Sequence, residues 1–292
     1  MELRHIRYFL AVAAERNFSR AAARVGIGQP PLSQQIKDLE TEIGAPLFHR
    51  VAHGAELTAA GRAFLETVRD MPAAAERAAQ AARRAARGET GSLRLGFSTS
   101  ASFNEVVAST IRAFRGAYPE VALTLVEDYS ARLVAGLGEG ALDAAFIRPD
   151  AAAAHAFKLK PLPDEPLVVA LPARHRAAGR KAIDLALLKD DPFLLFPREM
   201  GPGLYDIMVG ICRAAGFEPK IGQMAPQLAS AIMLVAGGMG VLLVPASLQQ
   251  IRVKGVAFRP IAGLTPTVPL VLAHRGTDGS AIVRNFVTLA GQ

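Results

Sequence analysis

A single cysteine, Cys212, stands in a chain of 292 residues, so no internal disulfide braces the protein. The amino-terminal stretch MELRHIRYFL lacks the positive region, apolar run and small-residue cleavage site of a signal peptide, which points to a cytoplasmic protein. Apolar runs such as LVVALP and VLLVPA fall far short of the roughly 20 residues that span a bilayer and read as buried strands. The histidines (His5, His49, His53, His155, His175 and His274) show no metal-ligand spacing such as HExxH, and there is no GxSxG nucleophile elbow. No catalytic residue, metal site or cofactor is therefore expected. Two glycine clusters imitate phosphate loops, but GLGEG ends a helix and GGMG precedes a strand, so both read as turns. Cys212 itself, in GICRAAGF, reads as a small buried residue of an amphipathic helix.

What is present is a globular chain, 51% hydrophobic and long enough for two or three lobes. Its net charge of +7 favours an anionic partner through a long-range field. Residues 1–58, however, hold seven Lys/Arg against six Asp/Glu, so a nucleic-acid role there rests on where the charges sit.

Helical spacing of Leu3, Ile6, Leu10 and Ala13 gives a first helix. A second, short and Ala-rich, is expected to begin with Ser19 as its cap and to stop at Gly26, a residue suited to the left-handed position after a helix. Pro30 and Pro31 mark the start of a third, because proline is tolerated in a first turn where its missing amide hydrogen has no partner. Leu32, Ile36 and Leu39 then bury one face, while Ser33, Gln34 and Lys37 are expected on the other. A short polar face of this kind fits a DNA major groove, where Gln pairs with adenine edges and Lys or Ser with guanine or phosphate.

The stretches FSRAAARV, QPPLSQQIKDLE, IGAPLFHR and ELTAAG, in this order behind MELRHIRYF, resemble the winged helix-turn-helix of LysR-type transcriptional regulators. The resemblance implies a recognition helix with DNA contacts at Gln29, Pro30, Pro31, Ser33, Gln34 and Lys37, and a wing contributing Arg50 and His53. Gln34 stands where the family usually has Arg, and Ala52 and His53 where the wing often carries two basic residues. Fewer phosphate contacts and a flatter salt dependence are expected in consequence.

From Thr58 to Arg87 the chain is rich in Ala, Arg and Glu, with Thr58 as cap and Gly88 as stop of a long helix. Phe64, Leu65, Val68 and Met71 form an apolar patch on it that a second copy would bury, and in the resembling family this helix dimerises two DNA-binding heads. Pro72 removes a hydrogen bond to the carbonyl of Val68, so a kink or break is expected there.

Beyond GETGS, strands and helices alternate in two series, which suggests parallel sheets in two α/β lobes, with VPLVLAHRG and a terminal helix returning to the first. The expected class is α/β overall: an N-terminal all-α winged helix-turn-helix (1–58), a linker helix (59–90) and an effector domain (91–292). The resemblance gives that domain the periplasmic-binding-protein type II fold, with lobe I at 91–162 and 268–292 and lobe II at 163–267. Ligands of open α/β sheets sit beyond the carboxyl ends of strands. That rule selects Ser98, Thr99, Ser100 and Ser102 at an expected helix start, Ser130 as a helix cap, Arg148 at a strand end, and the Pro/Gly-rich turn FPREMGPGLYD.

Within the family, PFLLFPREMGPGLYD, CRAAGFEP and VAGGMGVLLVPASL are similar to the branch that regulates aromatic catabolism and senses muconate-like diacids. That similarity implies inducer contacts at Ser100, Ser130, Arg148, Pro202, Gly203 and Leu204. It also implies promoter DNA and a small organic acid as partners, a dimer of dimers, and contact with RNA polymerase. The alternative is a solute-binding protein with the same two-lobed body and no regulatory DNA binding.

Overall fold

A computed structural model describes residues 1–292 except 52, 53, 226, 264, 277, 278 and 292. Its contacts divide the chain into two units, Met1–Arg84 and Ala85–Gln292.

The first unit opens with α1 (Leu3–Glu15), α2 (Phe18–Val25) and α3 (Gln29–Ile43). Asn17, not Ser19, caps α2: its side chain accepts from the amide of Arg20 at 3.0 Å, and Ser19 lies inside the first turn. Gly26 ends α2 with φ 71°, as a left-handed cap should. Gly28 precedes α3, so Pro30 and Pro31 fall in the first turn, where they cost no hydrogen bond. Leu32, Ile36 and Leu39 are buried with Ile6, Phe9, Val12, Ala21 and Ala22. Burial of each of the three α3 side chains contributes about 1.5–3 kcal/mol.

The head is not purely α-helical. Its wing is an antiparallel ribbon of β1 (Phe48–Val51) and β2 (Gly54–Leu57), with Arg50 opposite Ala55. The amide of Ala55 donates to the carbonyl of Arg16 at 2.9 Å, and a Cβ on Gly54 would overlap that same carbonyl, so only glycine lets the ribbon approach.

Thr58 caps α4 (Ala59–Val68), accepting from the amide of Gly61 at 2.8 Å. The expected long helix is in fact two, since α5 (Met71–Ala86) begins after a turn at Arg69 and Asp70. Pro72 cannot donate to Val68, so the chain breaks just ahead of it and restarts with proline in a first turn. Much of the apolar patch expected for a second copy is spent inside the head. Phe64 stacks edge-on against Phe9 at 4.9 Å, Val68 is buried and Leu65 packs on the same core, leaving Met71 exposed.

In the second unit, β3 (Gly91–Ser98), α6 (Glu105–Ala117), β4 (Val121–Asp128), α7 (Ser130–Gly138) and β5 (Ala144–Ile147) alternate as expected, followed by α8 (Ala151–Ala156) and β6 (Lys158–Pro161). The chain then crosses to a second lobe through β7 (Glu165–Pro172), β8 (Pro192–Leu195), α9 (Pro202–Ala214), β9 (Lys220–Met224), α10 (Leu228–Ala236), β10 (Leu242–Pro245) and β11 (Val256–Pro260). It returns through β12 (Thr267–Val268) to β13 (Val271–His274) and α11 (Ala281–Leu289).

The first sheet has the order β4-β3-β5-β13-β6. β3, β4 and β5 run parallel, and the returning β13 is antiparallel to both its neighbours. The second lobe meets the parallel expectation only in part: β8 and β9 pair in parallel as a two-stranded sheet, whereas β10, β11 and β12 all pair with β7 in antiparallel fashion. The reason is topological: β7 enters from the first lobe and runs against the strands built by the second lobe's own helices. The two crossings of the chain meet where Val268 pairs with Glu165. Each lobe has its own core, one centred on Leu93, Leu95, Phe114, Phe146 and Phe286, the other on Leu167, Val169, Phe193, Ile232 and Leu243. Among the described residues no helix is long and apolar enough to cross a membrane.

Candidate functional site

In the first unit the exposed side of α3 carries Gln29, Pro30, Pro31, Gln34 and Lys37, opposite the buried Leu32, Ile36 and Leu39. Gln34 is not idle: its Nε2 donates to Asp38 Oδ1 one turn on, at 2.7 Å. Ser33 departs from the outward position expected of it. It is half-buried, its Oγ has no partner among the described residues, and it lines a crevice with Phe18, Lys37, Glu40 and Phe48, because its place on the helix turns it toward the wing rather than straight out. Glu40 pins that wing, accepting from the amides of Leu47 at 2.7 Å and Phe48 at 3.1 Å. Arg20 and Arg24 are both ion-paired with Glu15. Arg50 takes its place in β1, and His53 lies outside the described residues.

In the second unit a cleft with about 330 Å³ of empty space, its mouth included, opens at the carboxyl ends of β3 and β5. From the first lobe it is lined by Ser98, Thr99, Ser100, Tyr129, Ser130 and Arg148, and from the second by Phe196, Met200, Gly201, Leu204 and Leu228. The serine segment is a pair of turns, not the expected helix start. The amide of Ala101 donates to Ser98 O at 2.7 Å, and the helix waits until Asn104, whose side chain caps α6 by accepting from the amide of Val106 at 3.0 Å. Ser98 and Ser100 are buried with their hydroxyls 3.2 Å apart. Ser130 is the first residue of α7 rather than its cap, a place held by Tyr129, and its hydroxyl accepts from the amide of Arg148 at 3.3 Å.

Arg148 is 2% exposed and grips both lobes. Its Nη2 is ion-paired with Glu165 and donates to Ser100 O at 3.3 Å, while Nη1 reaches the carbonyls of Val268 at 3.4 Å and Pro269 at 3.3 Å. Its Nε, fully buried, has no partner among the described residues. Glu165 in turn accepts from the amide of Ser247 at 2.7 Å and from Asn104 Nδ2 at 2.9 Å. Burial pushes the Glu165 carboxyl up, but Arg148 and the Ser247 bonds outweigh it and hold the group below the usual carboxylate range. Burial likewise lowers the Arg148 guanidinium, against the opposing pull of Glu165.

Thus Ser98, Thr99, Ser100, Ser130, Arg148 and Leu204 line one cleft, but Pro202 and Gly203 are not among its lining residues. Gly203 serves packing instead: a Cβ there would overlap the carbonyl of Pro149, so the start of α9 is pressed against the backbone of the first lobe. Reading of the sequence missed Tyr129, Phe196, Met200, Gly201 and Leu228. Three of these sit in FPREMG, a turn already suspected, and Glu165 was hidden in EPLVVALP, where it reads as no more than the start of a strand. Burial pushes the thiol of Cys212 up to about 11, which fits its reading as an inert core residue. Among the described residues no group of His, Cys, Asp and Glu is placed to hold a metal ion.

Comparison with known proteins follows the same division of the chain. Residues 3–62 match the bacterial regulatory helix-turn-helix protein, lysR family, and residues 86–292 match the LysR substrate binding domain. The transcriptional regulator BudR of Raoultella terrigena is 40% identical over 289 residues, 99% of this chain and 100% of that protein. The transcriptional regulator ClcR of Pseudomonas putida is 33% identical over 296 residues, 99% and 98% of the two chains. Among solved structures, full-length CbnR complexed with its target DNA superposes with a TM-score of 0.82 at 31% identity, covering 99% of this chain and 98% of that one. BudR is the more similar of the two regulators, so the aromatic-catabolism branch is not singled out. A helix-turn-helix head and a two-lobed body, each matching its own family model, leave no enzyme to look for: the chain belongs to the LysR family of DNA-binding transcriptional regulators, with an effector-binding domain.

Proposed function

We propose that the cleft between the lobes binds a small organic acid, the broad class to which the aromatic and muconate-like acids of the sequence expectation belong, and that its occupancy alters promoter binding. The observation that carries this reading is the arrangement around Arg148. One buried side chain borders the cavity and holds both crossings of the chain, so a ligand there acts on the hinge of the body. A ligand changes the state of a protein only through different affinities for two conformations, and an interlobe cleft supplies such a difference when it opens or closes. The serine hydroxyls and the start of α7 receive a carboxylate; Phe196, Met200, Leu204 and Leu228 cover its apolar part.

On the DNA side the proposed contacts are Gln29, Pro30, Pro31, Gln34 and Lys37 on α3, with Arg50 and His53 from the wing. Ser33 contributes only through a rotamer that leaves its crevice. The division at 1–58, 59–90 and 91–292, with lobe edges near 162 and 268, is part of the same proposal. So is assembly as a dimer of dimers that places heads on successive half-sites about one DNA turn apart, with RNA polymerase as a further contact. Titration of a panel of organic acids into the purified protein, with thermal shift as readout, tests the cleft. Ser100→Ala is expected to weaken the response to the acid that stabilises the wild type, and an unchanged affinity removes Ser100 from the site.

A further inference from the structure

A second cavity adjoins the cleft, and Thr99, Tyr129 and Leu228 line both. Phe103, Glu127, Asp128, Gln227 and Leu248 complete its walls. Among the described residues lining the two cavities Arg148 is the one cation, and it is already balanced by buried Glu165. Glu127 and Asp128 add two carboxylates on the side away from Arg148. Ser102 Oγ donates to Glu127 Oε1 at 2.8 Å and the amide of Tyr129 to Asp128 Oδ1 at 2.8 Å, which accounts for one oxygen of each.

The two adjoining cavities, taken as inner and outer ends of one site, therefore ask for different chemistry. At the inner end stand the hydroxyls of Ser98 and Ser100, the first turn of α7 and the unpartnered Nε–H of Arg148, all donors or sources of them. These receive one carboxylate. At the outer end a ligand meets acceptors of negative charge and no cation, where a second carboxylate is repelled and a donor is welcomed.

We infer that the effector is a small monocarboxylate whose far end carries a hydrogen-bond donor, a hydroxyl or an ammonium, and that dicarboxylates of the muconate type are rejected. The inference rests on the proposed effector site and narrows its ligand class.

The test is calorimetric titration of the full-length protein with four acids of equal length: butyrate, 4-hydroxybutyrate, 4-aminobutyrate and succinate. The two donor-bearing acids are expected to bind at least tenfold more tightly than succinate, with butyrate between. In a Glu127→Gln, Asp128→Asn double variant the gap should close, succinate gaining and 4-aminobutyrate losing. Succinate binding as tightly as the donor-bearing acids in the wild type overturns the inference whatever the variant does, and leaves the organic-acid site standing. An unchanged ranking in a folded double variant also overturns it. Failure of all four acids to bind overturns the inference; the acid site itself stands if an aromatic carboxylate of the thermal-shift panel binds, and falls if none does.

Discussion

The guanidinium of Arg148 is ion-paired with Glu165 on β7 and also donates to the carbonyl of Val268, the residue that pairs with Glu165 across the two crossings of the chain. A single buried side chain thereby joins the end of a first-lobe strand to both connections with the second lobe. A buried pair of this kind adds little over a well-packed apolar pair, but removing one member strands the other.

Glu165→Gln should therefore destabilise the effector-binding unit by about 3–5 kcal/mol, the usual cost of breaking a buried ion pair from one side. Denaturant unfolding followed on that unit measures it. A loss below about 1 kcal/mol, the range of an exposed pair, would show that the guanidinium is not held as described.

Stability should also fall with acid in a definite window. Glu165 and Asp143 both have carboxyls held below their ordinary values of 4.5 and 3.8, Asp143 because the bonds and charge of Arg94 outweigh the upward push of burial. A group whose folded value is depressed stabilises the fold above its unfolded value, and that contribution is lost as pH falls through the folded one. The melting temperature should vary little on account of these groups from pH 7 to 5 and drop below about pH 4.5. A melting temperature that rises between pH 5 and 4 would reverse the sign and defeat this explanation.

Gly203→Ala places a methyl group on the carbonyl of Pro149 and must push α9 away from the first lobe. The expected cost is about 1–3 kcal/mol, as for overpacking elsewhere, together with weaker effector binding. Gly210→Ala, on the exposed side of the same helix, meets no atom within 4 Å and serves as the control. Equal effects of the two substitutions would mean that the close approach at Gly203 is unimportant.

Lys37 projects from α3 without a buried role, so Lys37→Ala should leave the fold intact. Affinity for operator and scrambled DNA should fall together, and the slope of log K against log salt should shrink by about 1. A loss confined to the operator would make Lys37 a reader of bases instead of a phosphate contact.

How much of this was legible in the sequence varies with the range of the interaction. Local signals held: Pro30 and Pro31 start α3, Gly26 closes α2, Thr58 caps α4 and Pro72 interrupts the linker. Where two local signals compete, the pattern misleads, as with Asn17 and Ser19, both good caps two residues apart, of which Asn17 takes the place. Long-range partners were invisible. Phe64 and Val68 show an apolar face, but nothing local says that Phe9 covers it. Ser130 looks like a cap, yet its hydroxyl serves the backbone of Arg148 from another strand. Arg148 was found by its position at a strand end, whereas Glu165, its partner across the hinge, has no sequence signal beyond being a charge before a buried strand.

That occupancy of the interlobe cleft changes DNA binding is tested most directly by fluorescence anisotropy. The full-length protein is titrated against its own upstream DNA and a scrambled duplex, with and without the acid that binds best by calorimetry. The expected result is selective binding to the upstream DNA, shifted by the acid in the wild type and unshifted in Ser100→Ala. Selective binding that no cleft-bound acid alters would contradict it.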